Sequence, residues 1–506
     1  MKLVFITGQV AAGIIREIAE KVRADFNIDV DVVVLPIPVA AMMNLEYLKK
    51  EIPKRLESLR NADLIIVPGY TTGDMRELLE ITGLNVVKGP RYAYDLPLMI
   101  KAIQEGVKFS TSIPADEVIK DQVMAIEANT LKEARFRALK GALFNIGNLP
   151  VSSHYPLVVL EVYVSGEDEL EKYIAAANTA DLISIGIPYG FGERKAESVL
   201  GTLRERLKDK PIGIDSAEKS LIINTADLVD FINGVSVDSL DWLIKNSDQL
   251  KDKPIILVNT QCSSTCCLEK LLKCAELLRG EGYEKIILDP VLQPPLLGLV
   301  KSLEIYFELK RIAPHIPLIM GVGNATELVD VDSIGVNALL AFIGVEIGVE
   351  MFLTTESSIK TRGSTKELRK ALDMAILARD LKRVPKDLSI SLLLAKSKKK
   401  VDFQLPKTEN TIRASKKSLI RSDPKGYFKI KVDHEKGEII VQHYQYSSSQ
   451  PTIEIRGADP YEILAELVNR DLLSLVEHYF YMGVELSKAR MALTIGKEYE
   501  QDKDLF

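Results

Sequence analysis

The chain has 506 residues, 46% of them hydrophobic and 27% charged, proportions that exclude disordered and collagen-like structure. At roughly 150 residues per domain, that length predicts about three domains. A formal net charge of −6 gives no electrostatic reason to expect nucleic acid or an anionic membrane as a partner. The longest charge-free run, 141–160, is interrupted by Asn145, Asn148, Pro150, Ser152, Ser153, His154 and Pro156, and the most apolar region, 338–353, contains Glu346 and Glu350. Neither reads as a transmembrane helix. The opening run LVFITGQVAAGII is interrupted by Thr7–Gly8–Gln9 and followed by Arg16–Glu17. It therefore reads as a first β-strand rather than a signal peptide, and the expectation is a cytoplasmic protein.

Residues 1–150 alternate short apolar runs with amphipathic stretches. Strands are expected at 3–8, 30–37 and 62–69, with helices at 11–24 and 45–60. This alternation implies a doubly wound, Rossmann-like α/β domain with a parallel sheet. The first strand leads into Gly8-x-x-x-x-Gly13, a phosphate-loop spacing without its Lys and Ser/Thr. A tight turn with close helix packing is the plainer reading of those glycines.

Residues 151–395 repeat the strand–helix unit eight times, with strands expected at 156–164, 180–187, 211–216, 228–236, 254–260, 285–292, 317–323 and 350–357. Helical segments at 299–312 and 337–347 are among those between them. Eight such units in about 240 residues have the size of a (β/α)8 TIM barrel. Chemistry is then expected at the carboxyl ends of the strands, where Asp215, Asn233, Cys262, Asp289, Asn324 and Glu356 stand. A basic linker at 396–400 precedes a small C-terminal α+β domain, 396–506, with three strands and a helical pair expected at 461–483 and 484–495.

All four cysteines, Cys262, Cys266, Cys267 and Cys274, fall in QCSSTCCLEKLLKC. In a cytoplasmic chain this is not a disulfide framework. The run begins just past the fifth barrel strand, where the first turn of a helix lowers thiol pKa values. Thiolates there suit a soft metal or a [4Fe-4S] cluster. Cys274 lies seven residues after Cys267, about 10 Å along a helix, so it is either a fourth ligand or a buried core thiol. A reactive thiolate is the other reading of the group. The histidines 154, 315, 434, 443 and 478 show no metal-ligand spacing.

GIDS (213–216), FINGVS (231–236) and ILDPVL (287–292), in that order and at those strand ends, resemble the signatures of the pterin-binding barrel superfamily. That superfamily comprises dihydropteroate synthases and the methyltransferases that use methyl-tetrahydrofolate or methyl-tetrahydromethanopterin. The resemblance covers residues 155–395. It implies that Asp215, Asn233 and Asp289 clamp the pterin, whose 2-amino-pyrimidinone edge offers adjacent donors to a carboxylate.

The synthase branch carries Ser-Arg-Lys after its seventh strand. This sequence has GVGNATE (321–327) there, and between Arg311 and Lys360 it has six acids and no Lys or Arg. Lys360, Arg362 or Arg194–Lys195 are the remaining sources of charge for a leaving diphosphate. The run from DPVLQPP to IGVE is more similar to the methyltransferase branch. By that resemblance Asn324 addresses the pterin N5, acting with Asp289 in catalysis, and Asn337 matches a further pterin-binding Asn. A turn residue is the plain alternative for Asn324, and a core-facing or surface amide for Asn337.

The whole chain is similar to archaeal proteins described as dihydropteroate synthase-related, and YMGVELSKARMALTIGKEYEQD is similar to a tail module of methanopterin-linked archaeal proteins. These resemblances imply a transferase that takes a methyl group from a tetrahydromethanopterin or tetrahydrofolate derivative to a thiol or corrinoid acceptor. The alternatives are a synthase-type condensation in methanopterin biosynthesis and a non-catalytic pterin-binding assembly subunit. A homodimer is the default expectation.

Overall fold

In the computed structural model, residues 1–164, 170–260, 265–398, 413 and 421–506 are described, without the side chains of 170–172 and 265–267. Two compact units divide the chain: Met1–Arg137 with Asp373–Ser391, and Ala138–Leu372 with Leu392–Phe506.

The first unit is built on four parallel strands, β1 (Lys2–Thr7), β2 (Asp29–Val34), β3 (Leu64–Val67) and β4 (Val86–Lys88), in the order β2-β1-β3-β4. Alternation along β1 buries both faces, as a doubly wound sheet requires. Leu3 and Phe5 join Ile15, Ile18, Met99 and Ile100 on one side. Val4 and Ile6 join Leu48, Leu59, Met75 and Leu78 on the other. β4 is a strand that the sequence reading did not name. The expected helix 45–60 breaks into Leu45–Glu51, a 3-10 turn at Pro53–Arg55 and Leu56–Leu59, because Pro53 has no N–H to continue the ladder.

The second unit begins with a hairpin of β5 (Phe144–Ile146) and β6 (Leu149–Val151). Eight parallel strands follow: β7 (Leu157–Tyr163), β8 (Leu182–Ile187), β9 (Ile212–Ser216), β10 (Phe231–Ser236), β11 (Ile255–Val258), β12 (Ile286–Asp289), β13 (Ile319–Gly321) and β14 (Met351–Thr355). β7 pairs with β14, and a bridge between Leu288 and Leu318 joins β12 to β13, so the sheet closes into the expected (β/α)8 barrel. All eight strands fall inside their expected ranges.

The units cut the chain differently from the expected 1–150, 151–395 and 396–506. The hairpin belongs with the barrel, because Ile146 and Val151 are fully buried with Leu157, Val159, Leu182, Phe231, Ile256, Ile287, Ile319 and Met351 at the amino-terminal end of the strands. The segment Asp373–Ser391 belongs with the N-terminal sheet, where Arg383 pairs with Asp95 and Glu127.

The C-terminal part pairs β15 (Tyr427–Asp433), β16 (Glu438–Tyr444) and β17 (Ile453–Gly457) antiparallel. Its helices are Pro460–Asn469 and Val476–Ile495. The break falls at 470–475 rather than at the expected Gly483, because Asp471 takes positive φ and Asp423 caps the second helix through the N–H groups of Ser474 and Leu475. His478 is buried in this core beside Phe428 and Asp423. No helix among the described residues is long and apolar enough to cross a membrane.

One of the two acids in the apolar run, Glu350, is buried between β13 and β14. It pairs with Lys310 and accepts from the Leu318 N–H at 2.9 Å. Removing one partner of such a pair leaves a buried charge without compensation. Lys310→Met is expected to destabilise the barrel by about 3–5 kcal/mol at pH 8, read as a lower urea midpoint. An unchanged midpoint contradicts this account.

Candidate functional site

Inward-facing residues of a barrel strand recur every second position. The buried floor contains Val159, Leu182, Phe231, Ile287 and Ile319, so the next inward layer towards the carboxyl ends contains Glu161, Ser184, Asn233, Asp289 and Gly321, with Asp215 beside them on β9. Register agrees: Glu161 lies opposite Ser184 and Asp215 opposite Asn233. An apolar floor thus gives way within one pleat to a polar ring.

Asn233 holds two members of that ring. Its Nδ2 donates to Ser184 Oγ at 3.0 Å and lies 3.3 Å from Asp215 Oδ2. Gly234 explains the rest of the FINGVS signature. It has φ +70°, the pairing of β10 with β11 shifts register beside it, and a Cβ there would lie 2.5 Å from Asp215 Oδ1. A side chain at 234 would displace the Asp215 carboxylate.

Asp289 Oδ1 accepts from the Val291 N–H at 2.8 Å, and the Tyr306 hydroxyl lies 3.2 Å away. That Tyr306 hydroxyl is also 2.9 Å from the Ile319 carbonyl. Val291 itself has φ +63°, a left-handed conformation that β-branched residues rarely adopt and that costs of order 1–3 kcal/mol. The ILDPVL turn therefore holds a strained backbone against the Asp289 carboxylate.

Three acids share this mouth. Burial, reinforced by the charge of Asp215 and then of Glu327 and Asp289, pushes Glu161 up to about 7. Burial pushes Asp289 up to about 6 against the Val291 and Tyr306 hydrogen bonds, and it also raises Asp215. Among the described residues no Lys or Arg forms an ion pair with any of the three. Partly desolvated acids near one another disfavour the charged form.

Asn324 lies in the turn after β13, where its Nδ2 donates to the Leu292 carbonyl at 3.1 Å. This ties the loop after β13 to the loop after β12. Asn337 is placed elsewhere. It is fully buried on the helix Ser333–Ile347, with Nδ2 donating to Glu367 at 3.0 Å and Oδ1 without a hydrogen-bond partner. Its amide serves Glu367 rather than the ring. Glu356 is likewise taken up, accepting from the Gly363 and Thr365 N–H groups.

Cys262, and the side chains of Cys266 and Cys267, lie outside the described residues. Cys274 is buried on the helix Thr265–Gly280, its Sγ 3.9 Å from the Val237 carbonyl, and burial raises its thiol pKa. Such surroundings favour the neutral thiol. Among the described residues no three His, Cys, Asp or Glu side chains are grouped to hold a metal ion.

Glu161 is the member of the ring that the motif reading missed. The signal was present, since 161 has the same parity as Leu157 and Val159 in PLVVLEVYV, on the strand face that points inward.

Residues 422–502 match the family model PterinBD-DUF4346, and residues 1–91 match a family of unknown function, DUF6513. The uncharacterized protein MJ0107 of Methanocaldococcus jannaschii is 33% identical over 100% of this chain and 99% of its own. Among solved structures, dihydropteroate synthase from Yersinia pestis covers 46% of this chain and 95% of its own at 20% identity and TM-score 0.36. A truncated 3-deoxy-D-arabino-heptulosonate 7-phosphate synthase from Thermotoga maritima covers 47% and 92% at 15% identity and TM-score 0.36. The PterinBD-DUF4346 match supports the resemblance to pterin-binding proteins.

Glu161 has an ordinary pKa of 4.5 and a raised folded value, so the folded chain binds more protons than the unfolded chain between those values. Stability from this group is therefore complete below 4.5 and lost as pH rises towards 7. Glu161→Gln removes that penalty. It is expected to stabilise the barrel by roughly 2–3 kcal/mol at pH 8 and by little at pH 5. A pH-independent effect in denaturant titrations contradicts the assignment.

Proposed function

The chain belongs to the family of the uncharacterized protein MJ0107, and from the site its barrel builds we propose that it is a pterin-dependent transferase. The proposed donor is a methyl-tetrahydropterin of the tetrahydromethanopterin or tetrahydrofolate type, bound at the barrel mouth. The observation that carries this reading is the ring of Asp215, Asn233, Asp289 and Glu161, which among the described residues has no cation of its own. Such a ring prefers a ligand that brings hydrogen-bond donors, and the 2-amino-pyrimidinone edge of a pterin presents adjacent N–H groups that a carboxylate accepts in pairs. A ligand without those donors leaves half-buried carboxylates unsatisfied and binds more weakly.

In this reading Asp215 and Asp289 bind the ring's donor edge, Asn233 orients Asp215, and Tyr306 with Val291 fixes Asp289. Asn324 has its Nδ2 committed to Leu292, so its Oδ1 is the end that faces a protonated N5. A cationic N5 is what makes the pterin nitrogen a leaving group. Glu161 holds the exchangeable proton. The acceptor is a strong nucleophile, a thiol or a corrinoid metal.

Cys262, Cys266 and Cys267, near the start of the helix that follows β11, belong to the proposal either as soft-metal or cluster ligands or as that thiolate. Cys274 is left out as a ligand. Iron and sulfide analysis of anaerobically purified protein distinguishes the two roles.

A condensation of the dihydropteroate synthase type is the second reading. Two of its candidate cations are engaged elsewhere, Lys360 with Asp330 and Arg362 with Glu498. One observation favours it. Arg194 and Lys195, in the first turn of the helix Glu193–Arg206 after β8, have no acid partner among the described residues. In this second reading they supply the charge for an anionic leaving group.

Calorimetry with a methyl-tetrahydropterin tests the first reading. Wild-type protein is expected to bind it, Asp215→Asn to lose about 30-fold or more in affinity, and Asn324→Ala to lower the rate of methyl loss more than the affinity. Product formation from a hydroxymethyl-dihydropterin diphosphate and an aryl amine, with no methyl loss from the methyl-pterin, favours the condensation. Absence of pterin binding overturns both readings.

A further inference from the structure

The N-terminal unit contains a cavity of about 430 Å³ that the barrel chemistry does not use. That volume lies within the range of small-molecule clefts, about 300–1,000 Å³. Its place in the fold is specific. In the order β2-β1-β3-β4, the connections leave β1 and β3 in opposite directions, so a crevice opens between their carboxyl ends. Thr7 at the end of β1, Val67 at the end of β3 and the turn 89–92 after β4 all line the cavity.

Close backbone packing shapes it. A Cβ on Gly69 would lie 2.6 Å from backbone atoms of Gly89, Pro90 and Arg91, so only glycine lets the loops after β3 and β4 meet there. Gly8 does the same for the loop after β1, where a Cβ would lie 2.8 Å from Ile37 and Ala40 backbone atoms. Gly13, by contrast, has open space around it, and its turn contributes Val10, Ala11 and Ile14 to the wall. The Gly8-x-x-x-x-Gly13 spacing thus presents apolar side chains to the crevice.

The last part of the wall comes from more than 280 residues further along the chain. Lys382, Arg383 and Val384, on the segment that leaves the helix Ser364–Asp380, line the same cavity. This placement makes the wall chemically one-sided, because it includes three cations and no carboxylate. Two of those cations are already balanced. Arg91 pairs with Asp116 and Glu117, and Arg383 pairs with Asp95 and Glu127. Lys382 has no acid partner among the described residues, and it is held at φ +52°. Lys382 is therefore the lining cation that, among the described residues, keeps no acid of its own.

The remaining lining is apolar and aromatic. Tyr70 and Tyr92 pack edge to face at 6.3 Å, and their hydroxyls lie 3.4 Å apart, with Tyr70 donating to Asp387 at 2.8 Å. Their polar ends are therefore tied together, and Tyr94 stands exposed beside them. Val10, Val39 and Val384 are also exposed at the cavity, a cost in water that an apolar occupant removes.

We propose that this crevice is a second ligand site, independent of the barrel, that takes a flat aromatic molecule carrying a single negative charge. The ring lies among Val10, Val39 and the tyrosines, and the carboxylate meets Lys382. Lys382, without an acid partner among the described residues, is the group that receives that charge. The absence of a lining acid leaves no partner for a cationic group or for ribose hydroxyls.

The test uses the full chain, with 2-naphthoate as the probe and 2-naphthamide as its neutral counterpart, in calorimetry. Wild-type protein is expected to bind the anion about tenfold or more tightly than the amide, the worth of one charge-assisted hydrogen bond. Lys382→Gln is expected to bring the two affinities within about threefold of each other. Val39→Trp, which fills the cavity from an exposed position, is expected to abolish binding of both while far-UV circular dichroism is unchanged. Equal affinity of the two probes for wild type, full naphthoate binding by Val39→Trp, or no naphthoate binding up to about millimolar concentration overturns the proposal. None of these outcomes bears on pterin binding at the barrel.

Discussion

Taking a carboxylate even partly out of water without a cation beside it is costly, and among the described residues the barrel mouth does this three times within one layer of side chains. Glu161, Asp215 and Asp289 stand one pleat above a floor of Val159, Phe231 and Ile287. Burial raises the pKa of all three, to about 7 at Glu161 and about 6 at Asp289. Gly234 leaves room for one carboxylate and the strained turn at Val291 grips another. A fold that spends stability on such an arrangement is what the proposed receptor for hydrogen-bond donors requires.

The barrel itself was legible in the sequence because parallel strands buried on both faces read as continuous apolar runs, and eight of them recur at regular intervals. The ring was legible at Asp215, Asn233 and Asp289 because polar residues ending such runs have nowhere to go but the mouth. Glu161 was missed because it interrupts a strand rather than ending one, so that only the parity of Leu157 and Val159 marks it as inward. Asn337 is the opposite case. A polar residue on a helix has no such parity, and this one answers to Glu367 across the core.

Domain boundaries were less legible for a different reason. Periodicity reports on neighbours in sequence, whereas a unit is defined by neighbours in space. The hairpin at 144–151 looks like the end of the first domain until Ile146 and Val151 are seen to seal the barrel floor. The segment 373–391 looks like the end of the barrel until Arg383 is seen pairing with Asp95 and Glu127. The first unit is thus built from both sides of the barrel sequence, and Lys382 reaches the crevice of the N-terminal sheet only through that return.

The most direct measurement is a proton count. Donors brought by a bound reduced pterin favour the ionised carboxylates, so binding lowers the raised pKa values of the ring and expels protons. Titrating a tetrahydropterin into the protein near pH 6.5, in two buffers of different ionisation enthalpy, is expected to give a net proton release that Asp289→Asn diminishes. Binding with no proton release, or with proton uptake, contradicts a mouth whose acids await a donor-bearing ring.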